Sequence, residues 1–418
     1  MNGMMKPRFA LSTLSTLIAL SISTTTFASD FSLPFVNGSE LGNAYAGWAA
    51  SATDASTSYT NPAGLIKLKS PQIVVAGVDV RGFSQFKGTS TTPFATQFGQ
   101  VTGTAGGFLP LFDLAIPIND KFVFGFSETA PFGLGNNYPT WSVVRYAATR
   151  SQLIVVDLSP SIGYKINDKL SVGAGFDAQR VAITLNAMMP MPFSLPDAQG
   201  QNHLTGWGYG FHAGILDQIN ESTRVGLSFN SQTTFSPSGD SVVYSSMGTT
   251  RTTNQKTNFP LPARTQVSIY HDINNRLTAM GSIFYTRWST LSQIVLQNTM
   301  TPIGVLPATI PLQYHDTFDY AAGLNFKATE KWLLKIGAQY FNTPSNDRFR
   351  SVPDPLGRMV LVGIGAHYQK DSRFGYDIAY AHDFFERTVI HYVTPVASLI
   401  GHSNTASNIF ALQFTANV

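Results

Sequence analysis

The feature that most constrains this chain is a short polar turn that recurs along it. Asn119-Asp120-Lys121 is echoed by Asn167-Asp168-Lys169, Asn220-Glu221-Ser222 and Asn274-Asn275-Arg276, and Thr329-Glu330-Lys331 and Lys370-Asp371-Ser372 complete the set. Asn and Asp suit tight turns because they tolerate left-handed backbone and hydrogen-bond their own main chain. The turns recur roughly every 40–55 residues. That interval is too long for one membrane strand of ~10 residues and fits two strands joined by a long loop. Six such turns cut the chain into seven hairpins, hence fourteen strands.

The segments between the turns alternate with period two. Phe122, Phe124 and Phe126 alternate with Val123, Gly125 and Ser127. Trp332, Leu334, Ile336, Ala338 and Tyr340 alternate with Leu333, Lys335, Gly337, Gln339 and Phe341. One face is apolar and the other is small or polar, as a lipid-facing wall around a wet interior requires. A soluble sandwich also alternates, but it turns charge outward. The expected strand pairs are 72–83 with 108–118, 122–132 with 152–166, and 170–185 with 206–219. They continue as 223–235 with 263–273, 276–291 with 315–327, 331–343 with 358–369, and 373–387 with 408–418. The fold class is therefore all-β. It is a 14-stranded antiparallel transmembrane β-barrel over residues 71–418, with connections such as 186–205 and 236–262 outside the cell. Tyr285, Trp288, Trp332, Tyr340, Tyr376 and Phe384, near strand ends, suit interfacial girdles.

Composition points the same way. The 418 residues are 43% hydrophobic but only 12% charged, about half the ~25% of an ordinary soluble domain. No apolar run approaches the ~18 residues of a spanning helix. A barrel is the other structure that satisfies every backbone group in lipid. Residues 1–28 read as a secretion signal: Lys6 and Arg8, an apolar stretch from Leu11 to Ser23, then Thr26-Phe27-Ala28. The formal net charge of +3, without a basic cluster, argues against a nucleic-acid partner. The chain has no cysteine, and its eight histidines lack ligand spacing. No metal and no other cofactor is expected.

Residues 29–70 break the alternation. Gly42-Asn43-Ala44-Tyr45-Ala46-Gly47-Trp48-Ala49-Ala50 is small-residue rich with buried-type aromatics, and Asn61-Pro62-Ala63 should turn sharply. An unplugged barrel of this size would be an open aqueous pore. We therefore expect residues 29–70 to be a hatch, or plug, inside the lumen.

The run from Gly42 to Leu65, with Asp54-Ala55 and Asn61-Pro62-Ala63, resembles the N-terminal hatch of the FadL-type long-chain fatty acid transporters, a family that also contains importers of aromatic hydrocarbons. Pro131-Phe132-Gly133-Leu134, Gly206-Trp207-Gly208-Tyr209-Gly210, Trp288-Ser289 and Asp316-Thr317-Phe318-Asp319-Tyr320 are similar too, in the same order. The resemblance implies a monomer set in outer-membrane lipid and lipopolysaccharide of a Gram-negative cell. It implies loop capture of a hydrophobic ligand, binding in the lumen, rearrangement of the hatch (Asn61, Pro62, Ala63), and lateral exit at a kink in the third strand. Pro131, Phe132 and Gly133 fall at that kink, and Gly with Pro is how a strand breaks.

Long-chain fatty acids are the first expected cargo. Met188, Met189, Met191, Phe193 and Leu195 form an apolar run in a predicted outer loop, joined by Phe259 and Leu261 from the next. Such a run suits adaptable hydrophobic capture. Lys335 and Arg264 lie on the lumenal phase of their strands, where either could pair a carboxylate. No basic residue falls at the family's head-group arginine, where this chain carries Ala182 to Ala187. Aromatic hydrocarbons therefore remain an alternative cargo, and a general diffusion porin is a third reading. An enzyme is not expected. His382-Asp383 and His271-Asp272 are adjacent His/Asp pairs, but no serine motif accompanies them.

Overall fold

A computed structural model describes residues 32–394 and 396–418. The expected signal at 1–28, with the first residues of the expected hatch, lies outside the described residues. Fourteen strands follow one another in chain order: Gln72–Thr91, Thr96–Pro117, Phe122–Asn137, Arg150–Lys165, Leu170–Met189, Ala198–Gln218, Thr223–Asn230, Arg264–Asp272, Leu277–Thr286, Thr317–Lys327, Trp332–Phe341, Met359–Gln369, Phe374–Phe385 and Ser398–Asn417. We number them first to fourteenth. Each pairs antiparallel with the next. The first also pairs with the fourteenth, from Gln72 opposite Asn417 to Thr91 opposite Ser398, so the sheet closes on itself. Closure gives every wall strand two neighbours and leaves no edge in lipid.

The six short turns form as their residues dictate. Asn119 Oδ1 accepts from the backbone N–H of Lys121 at 2.9 Å and Phe122 at 3.0 Å. Asn167, Asn220, Asn274 and Asp371 repeat the pattern, and Thr329 uses its hydroxyl. Alternation is also kept. Trp332, Leu334, Ile336 and Tyr340 are exposed on the outer face, while Gln339 is buried inside.

Two expectations need correction. The loops assigned to 186–205 and 236–262 are mostly strand. The fifth and sixth strands run on to Met189 and from Ala198, and Ser238–Ser245 with Gly248–Lys256 forms a hairpin that pairs with this extension, Gln199 opposite Tyr244. Strands standing above lipid need no apolar alternation, so their pattern fades while their pairing continues. Trp288 is no girdle residue. It sits in a short 3₁₀ turn, Trp288–Thr290, with its ring buried.

Residues 32–70 fill the lumen. They fold as a 3₁₀ turn (Leu41–Asn43), a one-turn helix (Thr57–Thr60) and a second 3₁₀ turn (Pro62–Lys67). Phe35, Tyr45 and Trp48 are fully buried, each burial contributing ~2 kcal/mol. Tyr45 lies edge-on to Trp48 at 5.7 Å, and Trp48 to Phe284 of the ninth strand at 5.8 Å. The wall is moulded to this segment by lumenal glycines. A Cβ at Gly337 would overlap the main chain of Asn43, one at Gly226 the Ala49 carbonyl, and one at Gly173 the main chain of Pro62. The segment also spans the closing seam. Gln413 of the fourteenth strand accepts from the N–H of Gly38 at 3.1 Å and Ser39 at 2.9 Å, and Gln72 of the first accepts from Ala55 N–H at 2.6 Å.

Basic side chains of the wall hold this segment by its carbonyls. Lys335 Nζ donates to Ser39 O at 2.7 Å and pairs with Asp377 at 2.8 Å. Arg224 donates to the carbonyls of Ala50 and Ser51. His212 bridges Asp177 at 2.6 Å and Ser58 O at 2.9 Å. Inside the segment, Glu40 is buried against Ser51 and Asn37. Burial raises its carboxyl from 4.5 to about 7.

Two predictions follow from this packing. Gly337→Val should strain the docked segment by ~1–3 kcal/mol, exposing it to protease and raising ion conductance while the barrel stays folded. Gly281→Ala, whose Cβ would meet nothing closer than 3.6 Å, should behave as the parent. Glu40 binds its proton more tightly when buried, so its contribution to docking is greatest below pH 4.5 and declines as pH rises towards 7. Protease protection of residues 32–70 should fall over that window, and Glu40→Gln should flatten the profile.

Candidate functional site

The wall is interrupted beside the third strand. Ala130 and Pro131 together face the single Val156 across the pair with the fourth strand, because the register shifts between Thr129 and Phe132. Proline has no N–H to give the ladder, so it sits where pairing is already lost. On the other side, pairing between the second and third strands ends at Phe112 opposite Glu128 and resumes only at Thr104 opposite Asn137. Gly106, at φ +130°, lies within that gap, where a side chain would strain the backbone and strike the Val80 carbonyl. The lumenal segment partly fills the break from inside. Leu33 N–H donates to Pro131 O at 2.8 Å, and Ser32 bridges Phe132. Of the residues expected at the kink, Pro131 lies in the bulge and Phe132 borders it. Gly133 is back in register with the fourth strand, opposite Ile154, and lies within the stretch left unpaired by the second.

A narrow cavity lies directly behind the break. Leu33, Trp48 and Tyr59 of the hatch, Phe132 of the kink, Leu261 just before the eighth strand and Arg264 at its start line it. Its free volume is about 20 Å³, room for little more than one water. The Arg264 guanidinium lies 5.2 Å from the Trp48 ring and 4.6 Å from that of Phe284. Its Nε is buried without a hydrogen-bond partner. Among the described residues no carboxylate forms an ion pair with it. The other expected head-group cation, Lys335, is already engaged by Asp377 and Ser39.

An apolar column rises from this cavity towards the outer loops. Phe259 stacks on Phe235 at 5.7 Å, within the two-stranded piece Thr233–Phe235 and Phe259–Leu261. Trp288 meets Phe132 edge-on at 6.4 Å and Tyr314 at 5.8 Å. Leu153, Ile183, Leu296 and Leu312 continue the same cluster upward. They line a second cavity of about 50 Å³ under the hairpin Gln293–Thr301 and Gly304–Pro311.

The methionine run lies apart from this column. Met189 and Met191 pack with Ala198, Val243 and Met300 in a cluster of their own. The N–H of Met188 is taken by Arg145 O at 2.8 Å. Phe193 and Leu195 point to solvent. Phe259 and Leu261 thus join Arg264 and Phe132, and the methionines do not. Trp288, read in the sequence as a girdle residue, belongs to this column, and Ile294, Leu296, Ile310 and Leu312 were not singled out there, although apolar residues in the stretch between the ninth and tenth strands were a visible signal. The hatch turn is cross-braced. Asn61 Nδ2 donates to Ala49 O at 2.6 Å and Ile215 O at 3.1 Å, its Oδ1 accepts from Ala63 N–H, and Ala63 O accepts from Ser171. Pro62 opens the 3₁₀ turn that follows.

Comparison with known proteins agrees with this architecture. The chain is 27% identical over 399 residues to "Outer membrane protein P1" of Haemophilus influenzae (strain ATCC 51907 / DSM 11121 / KW20 / Rd), covering 85% of this chain and 86% of that protein. It is 26% identical over 425 residues to the "Long-chain fatty acid transport protein" of Escherichia coli (strain K12), covering 90% and 93%. Its fold matches the crystal structure of a Pseudomonas aeruginosa FadL homologue with a TM-score of 0.83 at 21% identity, over 93% of this chain and 99% of that one. The P. putida toluene transporter TodX follows at 0.71 and 15%, over 95% and 99%. The profile of the family described as "Outer membrane protein transport protein (OMPP1/FadL/TodX)" matches residues 19–417. With a closed fourteen-strand wall, a filled lumen and a match along almost its whole length, this chain belongs to that family of outer-membrane transport proteins.

Proposed function

We propose that this barrel imports hydrophobic small molecules across the outer membrane, with long-chain fatty acids as its first cargo. The observation that carries this reading is Arg264, a buried lumenal cation with an unpartnered Nε, at the foot of an apolar column and behind a break in the wall. A carboxylate there would satisfy the guanidinium while its tail lies along Leu261, Trp288 and Leu312. Charge-assisted pairing of this kind is the strong sort of hydrogen bond. The column takes the ligand inward from the outer loops. Withdrawal of Leu33 from Pro131, with hatch movement about Asn61, Pro62 and Ala63, frees the break, and the ligand leaves sideways into lipid. Lateral exit keeps the chain out of water, where each CH₂ costs ~0.8 kcal/mol. The protein works as a monomer within outer-membrane lipid and lipopolysaccharide.

Aromatic hydrocarbons are the second reading. The rings of Trp48, Phe132, Phe284 and Trp288 around Arg264 favour it, and a toluene transporter shares the fold. Binding by the purified barrel separates the two. Arg264→Met should weaken oleate by about 10- to 100-fold, the ~1.5–3 kcal/mol of a hydrogen bond to a charged group, and leave toluene unchanged. Equal oleate affinity in both proteins would remove the head-group role. The exit is tested separately. Deleting Ala130 together with Pro131→Val should straighten the third strand and cut uptake by about tenfold or more, a barrier of ~1.4 kcal/mol, without weakening oleate binding. Undiminished uptake would place the exit elsewhere.

A further inference from the structure

Six of the seven connections on the loop side end in an exposed large apolar side chain. They are Phe94, Trp141, Phe193, Met247, Ile303 and Val396, each near the tip of a different loop. Trp141 is 74% exposed, Ile303 87% and Phe193 93%. Single exposed apolar residues are ordinary on a protein surface. One at almost every tip, on strands that extend beyond the lipid-facing band, is a pattern. On the first strand the outward side chains Gln85, Lys87 and Thr89 are already polar before Phe94 is reached, while Phe98 and Ile400, opposite Thr89, stay exposed beside them. Phe193 is held out in left-handed backbone, φ +58°, a conformation costly for a bulky residue.

We propose that these tips form a crown that docks on a fatty-acid-coated lipid surface, such as a droplet or micelle, so that cargo is drawn from the aggregate and not from water. This rests on the fatty-acid reading above. Three observations select that partner. The apolar points sit on six separate loops, three of them beside a second exposed apolar residue (Leu195, Val305, Val393), and not on one element that would present a contiguous patch to a folded protein. Shallow insertion of scattered rings and aliphatic groups into an amphiphile layer needs none. Among the described residues at the tips themselves, no acidic side chain is left without a cation beside it. The acidic side chains of these six loops near the tips are Asp197 and Asp240, paired with Arg145 at 2.9 Å and Arg251 at 2.6 Å. Finally, Ile303 tips the hairpin whose Ile294, Leu296 and Ile310 line the upper cavity. The loop that touches the surface is the loop that leads inward, and a long chain passing along it never meets bulk water.

The test is co-flotation of the full barrel, embedded in nanodiscs, with triolein droplets coated in oleate. Empty nanodiscs give the background. The compared variant carries Phe94→Ser, Trp141→Ser, Phe193→Ser, Met247→Ser, Ile303→Ser and Val396→Ser. Binding of monomeric oleate is measured alongside, below the concentration at which it aggregates. The parent should float well above background, and the variant should lose about tenfold or more of that association while its monomer affinity is unchanged. Equal flotation of parent and variant, or a parent no better than empty discs, would overturn the crown. Tip-dependent pairing of two barrels in sedimentation, without droplet binding, would assign these side chains to a second copy and also overturn it. Failure of both proteins to bind monomeric oleate would count against the cargo and leave the flotation result to be read by itself.

Discussion

A backbone N–H or C=O facing hydrocarbon without a partner costs several kcal/mol, and the wall is built around avoiding that. Fourteen strands close into a ring so that none has a free edge. Two neighbouring strands separate between residues 104 and 112 of the second and 128 and 137 of the third, and there another backbone arrives from within. Leu33 and Ser32 take up part of the missing ladder at Pro131 and Phe132. The opening and its cover are thus one feature. The wall can be broken there because the lumenal segment supplies main-chain groups to the gap.

The same accounting explains how basic side chains are distributed inside. Lys335, Arg224 and His212 all donate to carbonyls of the lumenal segment, and Lys335 and His212 also hold wall carboxylates. They bind one part of the protein to another. Arg264 differs. It lies between the Trp48 and Phe284 rings, its Nε buried without a partner. Stacking accommodates a guanidinium without satisfying its donors. The combination leaves a buried positive group that no ion pair among the described residues engages, although the charge of Asp319 reaches it.

Much of the wall could be read in the chain. Asn119 and its counterparts form turns through bonds that follow from side-chain length, and Trp332 to Tyr340 alternate because one face meets lipid. These are local effects, and a sequence displays them. Above the membrane both faces are wet, so Gln199 to Thr205 pair as strand without an apolar rhythm. Trp288 looks like a girdle residue but turns inward, because its surroundings come from Phe132 and Tyr314, each far from it in sequence. Lys335 and Arg264 share the same lumenal phase. Only the fold shows that Asp377 and Ser39 occupy one and leave the other. The methionines of 188–191 read as an open patch, whereas Val243 and Met300, brought in by two other loops, cover part of them.

The fastening of the lumenal segment across the closing seam bears on the order in which the molecule is put together. Gly38 and Ser39 are 375 and 374 residues away from Gln413, whose side chain they share. Asp54 reaches the same glutamine at 2.8 Å, across 359 residues. Contacts so distant in the chain are the last to be rewarded during folding. The segment made early therefore waits, unfastened on that side, for the strand made last. The ring closes and the plug is secured in a single late event.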